Sequence, residues 1–258
     1  MRLQPLALVL CTVALVSVSS AQSPASVAAD LQAAGIKTVQ VSKTETMDFP
    51  AGGTLRLEHS TGDISIEGWD QPGIEITTIK SSKDDSQTLD REKTLKELDR
   101  VQVTTKTNGN ELVITTQYPH HLAPPYVTPL DRVTSFDLEY EIKVPRNAKI
   151  VVQNDAGDIT VDDIAGSIDV KAHQGLITLR LTGDAPRAID AKSTSGSVNS
   201  DFPGHETRNV FMFGHGFVDS ASAAQSIHLR IGFGDIILLK AHEPKSVAAT
   251  PAAAAPSK

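Results

Sequence analysis

The sequence predicts an all-β protein, a β-solenoid or solenoid-like β-sandwich of short stacked strands with one inserted amphipathic helix. Three observations carry that expectation. From Lys37 onward the dominant hydrophobic period is two, the mark of half-buried strands. In "GDITVDDIAGSIDVKAHQGLITL" glycine recurs at 157, 166 and 175, each time two residues before an isoleucine. Aromatic residues make up only 4% of the chain, which suits thin layers filled by branched aliphatic side chains.

Residues 1–21 read as a signal peptide. Arg2 supplies a positive start, Leu6 to Val18 an apolar run, and Ser19-Ser20-Ala21 the small residues before a cut after Ala21. The run is shorter than the roughly 20 residues of a comfortable bilayer span, so no transmembrane segment is expected after cleavage. Cys11, the only cysteine, lies inside it, which leaves the mature chain without a disulfide, a thiol nucleophile or a cysteine-ligated metal. Roughly 235 mature residues bury enough core to be stable by packing alone. Residues 22–36 form a lead-in in which Val27, Leu31 and Ala34 suit a short helix stopped by Gly35.

The main domain spans 37–240. "TLRLEHS" (Thr54–Ser60), "DISIEGW" (Asp63–Trp69) and "IEITTIK" (Ile74–Lys80) alternate as strands. "DDSQTLDREKTLKELDR" (84–100) is rich in helix formers, with Ser86 or Thr88 as cap and Leu89, Leu95 and Leu98 expected against the sheet. "VQVTTKT" (Val101–Thr107) and "ELVITTQ" (Glu111–Gln117) flank Asn108-Gly109-Asn110, a hairpin signal. Four prolines make 118–131 a loop, and "SFDLEYEIKVP" (Ser135–Pro145) is a long strand after it. The Ala/Pro-rich residues 241–258 have too little apolar bulk to fold.

The second half carries the repeat. Ile159, Ile177, Val198, Val218 and Ile236 follow one another in steps of 18, 21, 20 and 18, with partners at Ile168, Ile189, Val210 and Ile227 between them. A near-constant period of about 20 implies stacked two-strand units sharing a continuous Ile/Val core. Gly62, Gly157, Gly166, Gly175, Gly196 and Gly234 are then the corners, and Asp63, Asp158 and Asp235, each following a glycine, accept hydrogen bonds from turn amides.

"TGDISIEGWDQPGIEI" (Thr61–Ile76), "YEIKVPRNAKIVVQNDAGDITVDDIAGSIDVKAHQGLITL" (Tyr140–Leu179), "STSGSVNS" (Ser193–Ser200) and "GFGDIILL" (Gly232–Leu239) together resemble the bacterial putative-adhesin family of exported β-solenoid-like domains. The resemblance covers roughly Lys37 to Leu239. It implies a right-handed stack of short strands and a place in the cell envelope, and it brings no catalytic motif.

The chemistry-bearing residues are scattered. A calcium ladder needs an aspartate in every turn, but the glycines at 157, 166 and 175 are followed by Asp158, Ser167 and Leu176; one site from Asp155, Asp158, Asp162 and Asp163 is the remaining candidate. "HETRN" has Asn209 where H-E-x-x-H needs its second histidine, and "STSGS" lacks the first glycine of G-x-S-x-G. His173, His205, His215 and His228 read as surface histidines. Trp69 either closes a core end or stacks on a sugar. The 118–131 loop, with Tyr118, His120, His121 and Tyr126, is the candidate ligand loop. A net charge of −7 without a basic aromatic stripe argues against nucleic acid.

These features read as a non-enzymatic, adhesin-like module without a cofactor, located in the periplasm, outer envelope or outside the cell. It binds or scaffolds an envelope protein or a glycan through its sheet faces or the loop. The alternatives are a polysaccharide-active enzyme on a β-helix and a structural component of envelope stress response.

Overall fold

The computed structural model describes residues 39–82, 91–117, 136–182, 187–209, 214–220 and 225–241. The leader, the lead-in, Leu89, the loop residues Tyr118, His120, His121 and Tyr126, Val210 and the tail beyond Ala241 lie outside the described residues.

In chain order the elements are β1 (Gln40–Met47), β2 (Thr54–Thr61), β3 (Ile64–Trp69), β4 (Ile74–Ser82), α1 (Arg91–Asp99), β5 (Gln102–Asn108), β6 (Glu111–Gln117), β7 (Phe136–Pro145), β8 (Lys149–Ala156) and β9 (Ile159–Asp162). β10 (Ile168–Thr182), β11 (Arg187–Ser195), β12 (Val198–Ser200), β13 (His205–Asn209), β14 (Gly214–Ser220) and β15 (Gln225–Ala241) follow. The protein is all-β, and its strands form one curled sheet.

The long strands β10 and β15 join two layers. Their first halves continue the ladder β5–β6–β2–β8–β10–β15–β11–β14–β13, and their second halves the ladder β1–β4–β7–β3–β9–β10–β15–β12. Period-two alternation turns one side of each layer inward. In parallel register Leu112, Leu55, Ile150, Ile168, Ile227 and Ile189 form one buried column, and Tyr140, Ile64, Ile159, Ile177, Ile236 and Val198 another. Each such side chain contributes about 1.5–3 kcal/mol by leaving water. The Tyr140 hydroxyl, buried with them, meets Thr116 Oγ1 at 2.8 Å, and burial pushes its pKa up to about 12.

Three features depart from the sequential coil that the period implied. First, order in space is not order in the chain: β15 lies between β10 and β11, and β2 lies between β6 and β8. Second, Val218 is no member of the core column. It sits on β14, which pairs antiparallel with β11 and β13, and it is 36% exposed, while its neighbour Phe217 is buried. In the register of this pairing Phe217 stands opposite buried Ala191 and Val218 opposite Asp190, so the count kept from the parallel rungs lands one residue off, on the outer side. Third, Gly175 and Gly234 bend β10 and β15 without ending them, so these units are single long strands.

Within the described part of 84–100 a helix spans Arg91–Asp99; Ser86, Thr88 and Leu89 lie outside the described residues. Leu98 is buried and Leu95 is 36% exposed, so of these two leucines only the one in the last turn packs inward. Lys80 of β4 meets this end of the helix, donating its Nζ to the carbonyls of Leu98 and Val101 at 3.3 and 2.6 Å, where a helix C-terminus favours a cation.

The period-nine glycines belong to two kinds of corner. Gly62, Gly157, Gly175, Gly234 and Gly196 stack at the junction of the layers, each with positive φ. A Cβ on Gly175 would collide with the Gly157 carbonyl, and one on Gly234 with that of Gly175. Gly166 instead serves the return turn from β9 to β10, packed on the Ala148 carbonyl. We expect Gly175→Val to cost at least about 3 kcal/mol through clash and backbone strain, and Ser167→Val no more than about 1, measured by chemical denaturation. Equal tolerance at the two positions would refute the assignment of Gly175 to a corner.

Candidate functional site

The aspartates after the corner glycines tie one rung to the next. Asp63 Oδ1 accepts the Asp158 N–H at 2.9 Å, Asp158 Oδ1 the Leu176 N–H at 3.0 Å, and Asp235 Oδ1 the Ser197 N–H at 2.6 Å and its hydroxyl at 2.8 Å. The two Ser197 donors hold the Asp235 carboxyl below the usual carboxylate range. On the inner side of the corner, Asn154 Nδ2 donates to the Gly62 carbonyl at 3.1 Å and Ser193 Oγ to that of Gly234 at 2.7 Å. These two buried polar side chains therefore serve corner carbonyls. Asp158→Ala is expected to destabilise by about 0.5–1.5 kcal/mol and to speed hydrogen exchange at the Leu176 amide. Unchanged exchange there would show that the inter-rung bond carries no weight.

The calcium candidates go separate ways. Asp155 is on the outer side of β8, Asp158 holds Leu176, Asp162 takes both Nε and Nη2 of Arg180 at 2.7 Å, and Asp163 is held by Arg146 and Thr182. Among the described residues no three His, Cys, Asp or Glu side chains form a group able to hold a metal ion. Trp69 is half-buried and donates Nε1 to the Gly73 carbonyl at 3.2 Å, closing its own turn. "HETRN" forms β13, the outermost strand of its layer.

The outer surface of the second layer is acidic along β7 and β3. Burial, with Glu141, Asp63 and Asp137 around it, holds the Glu139 carboxyl above the ordinary glutamate range. A raised folded-state value means the ionised carboxylate costs stability at neutral pH, and protonation relieves that cost as the pH falls. Glu139→Gln should therefore raise Tm at neutral pH, with the gain fading towards pH 4.5, the ordinary value. A gain independent of pH would rule out the electrostatic cause.

The outer surface of the first layer is built differently. Phe233, at the corner of β15, is 54% exposed and meets the His173 ring edge-on at 5.5 Å. His173 also lines a groove of about 540 Å³ with Glu58, Thr115, Gln153, Asp155 and Lys171. A second groove of about 590 Å³ runs along Asp190, Lys192, Thr207, Gly214, Gly216 and Val218. Gly216, opposite Thr207, puts no side chain into the trough. At the edge of the second groove Asp190 is paired with Arg230, whose guanidinium holds the carboxyl below the usual range, and His228 Nδ1 lies 3.8 Å from Asp190 Oδ2.

Sequence reasoning singled out the corner glycines and aspartates and a loop that lies outside the described residues, and it passed over Phe233. Its only signal was an aromatic residue between two glycines, Gly232 and Gly234, where the alternation calls for neither face. His173, His215 and His228 do lie on the outer surface of the first layer or at its grooves.

No protein-family description matches the chain, and no curated protein matches it. Among solved structures it is similar to a chain described as a putative cell adhesion protein from Clostridium sporogenes ATCC 15579, at 12% identity and a TM-score of 0.44; the match covers 79% of this chain and 100% of that one.

Proposed function

We propose that this protein is a non-enzymatic, adhesin-like binding module of the cell envelope that holds a carbohydrate on the outer surface of its first layer. On this reading residues 1–21 direct export, and the parallel rungs are a β-solenoid-like scaffold elaborated by the segment at 84–100. The supporting observation is Phe233, a large apolar ring left 54% exposed beside a polar groove. Such a ring offers its face to the C–H side of a pyranose, while Gln153, Lys171 and Glu58 supply donors and acceptors for hydroxyls. The corner aspartates serve as inter-rung acceptors, which agrees with a scaffold in which carboxylates hold the fold together.

Phe233→Ala tests the reading. The ring lies outside the core, so melting should change little, while affinity for a bound glycan should fall roughly two- to tenfold, the worth of about 0.5–1.5 kcal/mol. Glycan binding unaffected by the substitution, or capture of an envelope protein without any glycan, would refute it.

A further inference from the structure

Ladder register adds a feature that neither groove reveals alone. Thr115, Glu58, Gln153, Lys171, Arg230, Lys192, Gly216 and Thr207 stand opposite one another from strand to strand, in one unbroken row across β6, β2, β8, β10, β15, β11, β14 and β13. The first four residues line the 540 Å³ groove, the last three line the 590 Å³ groove, and Arg230 joins them. Eight strands about 4.8 Å apart make the row about 34 Å long. A parallel second row runs Val113, Arg56, Val151, Asp169, His228, Asp190, Val218 and His205.

Arg56, Lys171, Arg230 and Lys192 stand against Glu58, Asp169 and Asp190 on these rows, and Glu111, beside Arg56, brings the charge to balance. Arg56 meets Glu111 at 2.7 Å, Lys171 lies 3.7 Å from Asp169, and Arg230 is paired with Asp190. Glu58 lies one strand in from one end of the track and Lys192 two strands in from the other, with opposite signs. A chain carrying carboxylates or phosphates would gain at Arg56, Lys171, Arg230 and Lys192 and lose as much at Glu58, Glu111, Asp169 and Asp190. A hydroxyl, which donates one hydrogen bond and accepts two, is served by cations and carboxylates standing side by side. Phe233 flanks the track at His173, where an apolar sugar face can lie.

We propose that the two grooves are one track, and that its occupant is an extended, uncharged polysaccharide lying across the strands. The proposal rests on the carbohydrate-binding reading above and adds the ligand's charge and its length. It predicts affinity that grows with chain length and hardly depends on ionic strength, because no net charge is matched.

The test is binding of the full chain to immobilised neutral polymers (dextran, laminarin, xyloglucan, hydroxyethyl-cellulose) and acidic ones (alginate, polygalacturonate, carboxymethyl-cellulose), with the matching disaccharides as competitors. The expected result is a neutral polymer bound at least about tenfold better than its disaccharide, with less than about a twofold change on raising salt to about 0.5 M. Lys192→Ala and Gln153→Ala, one in each groove, should each weaken the polymer by about threefold or more, with melting unchanged. Binding confined to acidic polymers and lost in salt would overturn the uncharged occupant. Equal affinity for polymer and disaccharide, with Lys192→Ala silent, would overturn the joined track and leave a single sugar site beside Phe233 standing. Binding to no carbohydrate would overturn the track together with the carbohydrate-binding reading on which it rests.

Discussion

The close stacking of corner carbonyls is the constraint on which the rest depends. At Gly157, Gly175, Gly234 and Gly196 the backbone of each rung rides directly on the carbonyl of its neighbour (Gly62, Gly157, Gly175 and Gly234 in turn), with no room for a Cβ. That contact sets the rung spacing at the junction of the layers, and with it the register of both ladders. Ile150, Ile168 and Ile227 on one side and Ile159, Ile177 and Ile236 on the other then fall into columns from a single alignment. Positive φ at the same positions turns the chain from one layer into the next. The aspartates outside and Asn154 and Ser193 inside complete the corner by meeting its amides and carbonyls.

The return side of the stack is held by a different device. Buried Gln225 donates Nε2 to the carbonyls of Ile164 and Gly166, both at 2.9 Å, and accepts from Arg187 Nε at 2.8 Å. Arg187 also reaches the Thr182 carbonyl and lies 5.6 Å from the centre of the Phe202 ring. One amide and one guanidinium thus satisfy two carbonyls of the β9–β10 turn and that of Thr182 at the end of β10. A glycine corner on one side and a polar clasp on the other keep a thin, aromatic-poor core closed.

Most of the strand inventory was legible in the sequence because alternation of period two reports which side of a strand is buried, whatever its neighbours are. Glu111–Gln117 and Ile74–Lys80 could be read that way, and so could the columns at Ile159, Ile177, Val198 and Ile236. Period, however, says nothing about which strands are neighbours. Val218 keeps the count yet belongs to an antiparallel hairpin, and only hydrogen bonding distinguishes the two cases. The groove row was illegible for the same reason. Its eight residues lie far apart in the chain and become a row only through register. Phe233 escaped notice because a residue at a bend belongs to neither alternating face.

The insertion of β15 between β10 and β11 has a consequence for how the protein is made. A simple coil can be completed turn by turn as the chain leaves the ribosome. Here the central seat of the stack is filled by the last of the described strands, after β11, β12, β13 and β14 have emerged. Until then β10 and β11 expose facing edges that match each other's spacing, and any premature pairing between them must be undone before β15 can enter. Assembly is therefore settled late and from the carboxyl-terminal side, and a chain truncated before Gln225 would lack the middle of its sheet rather than one end.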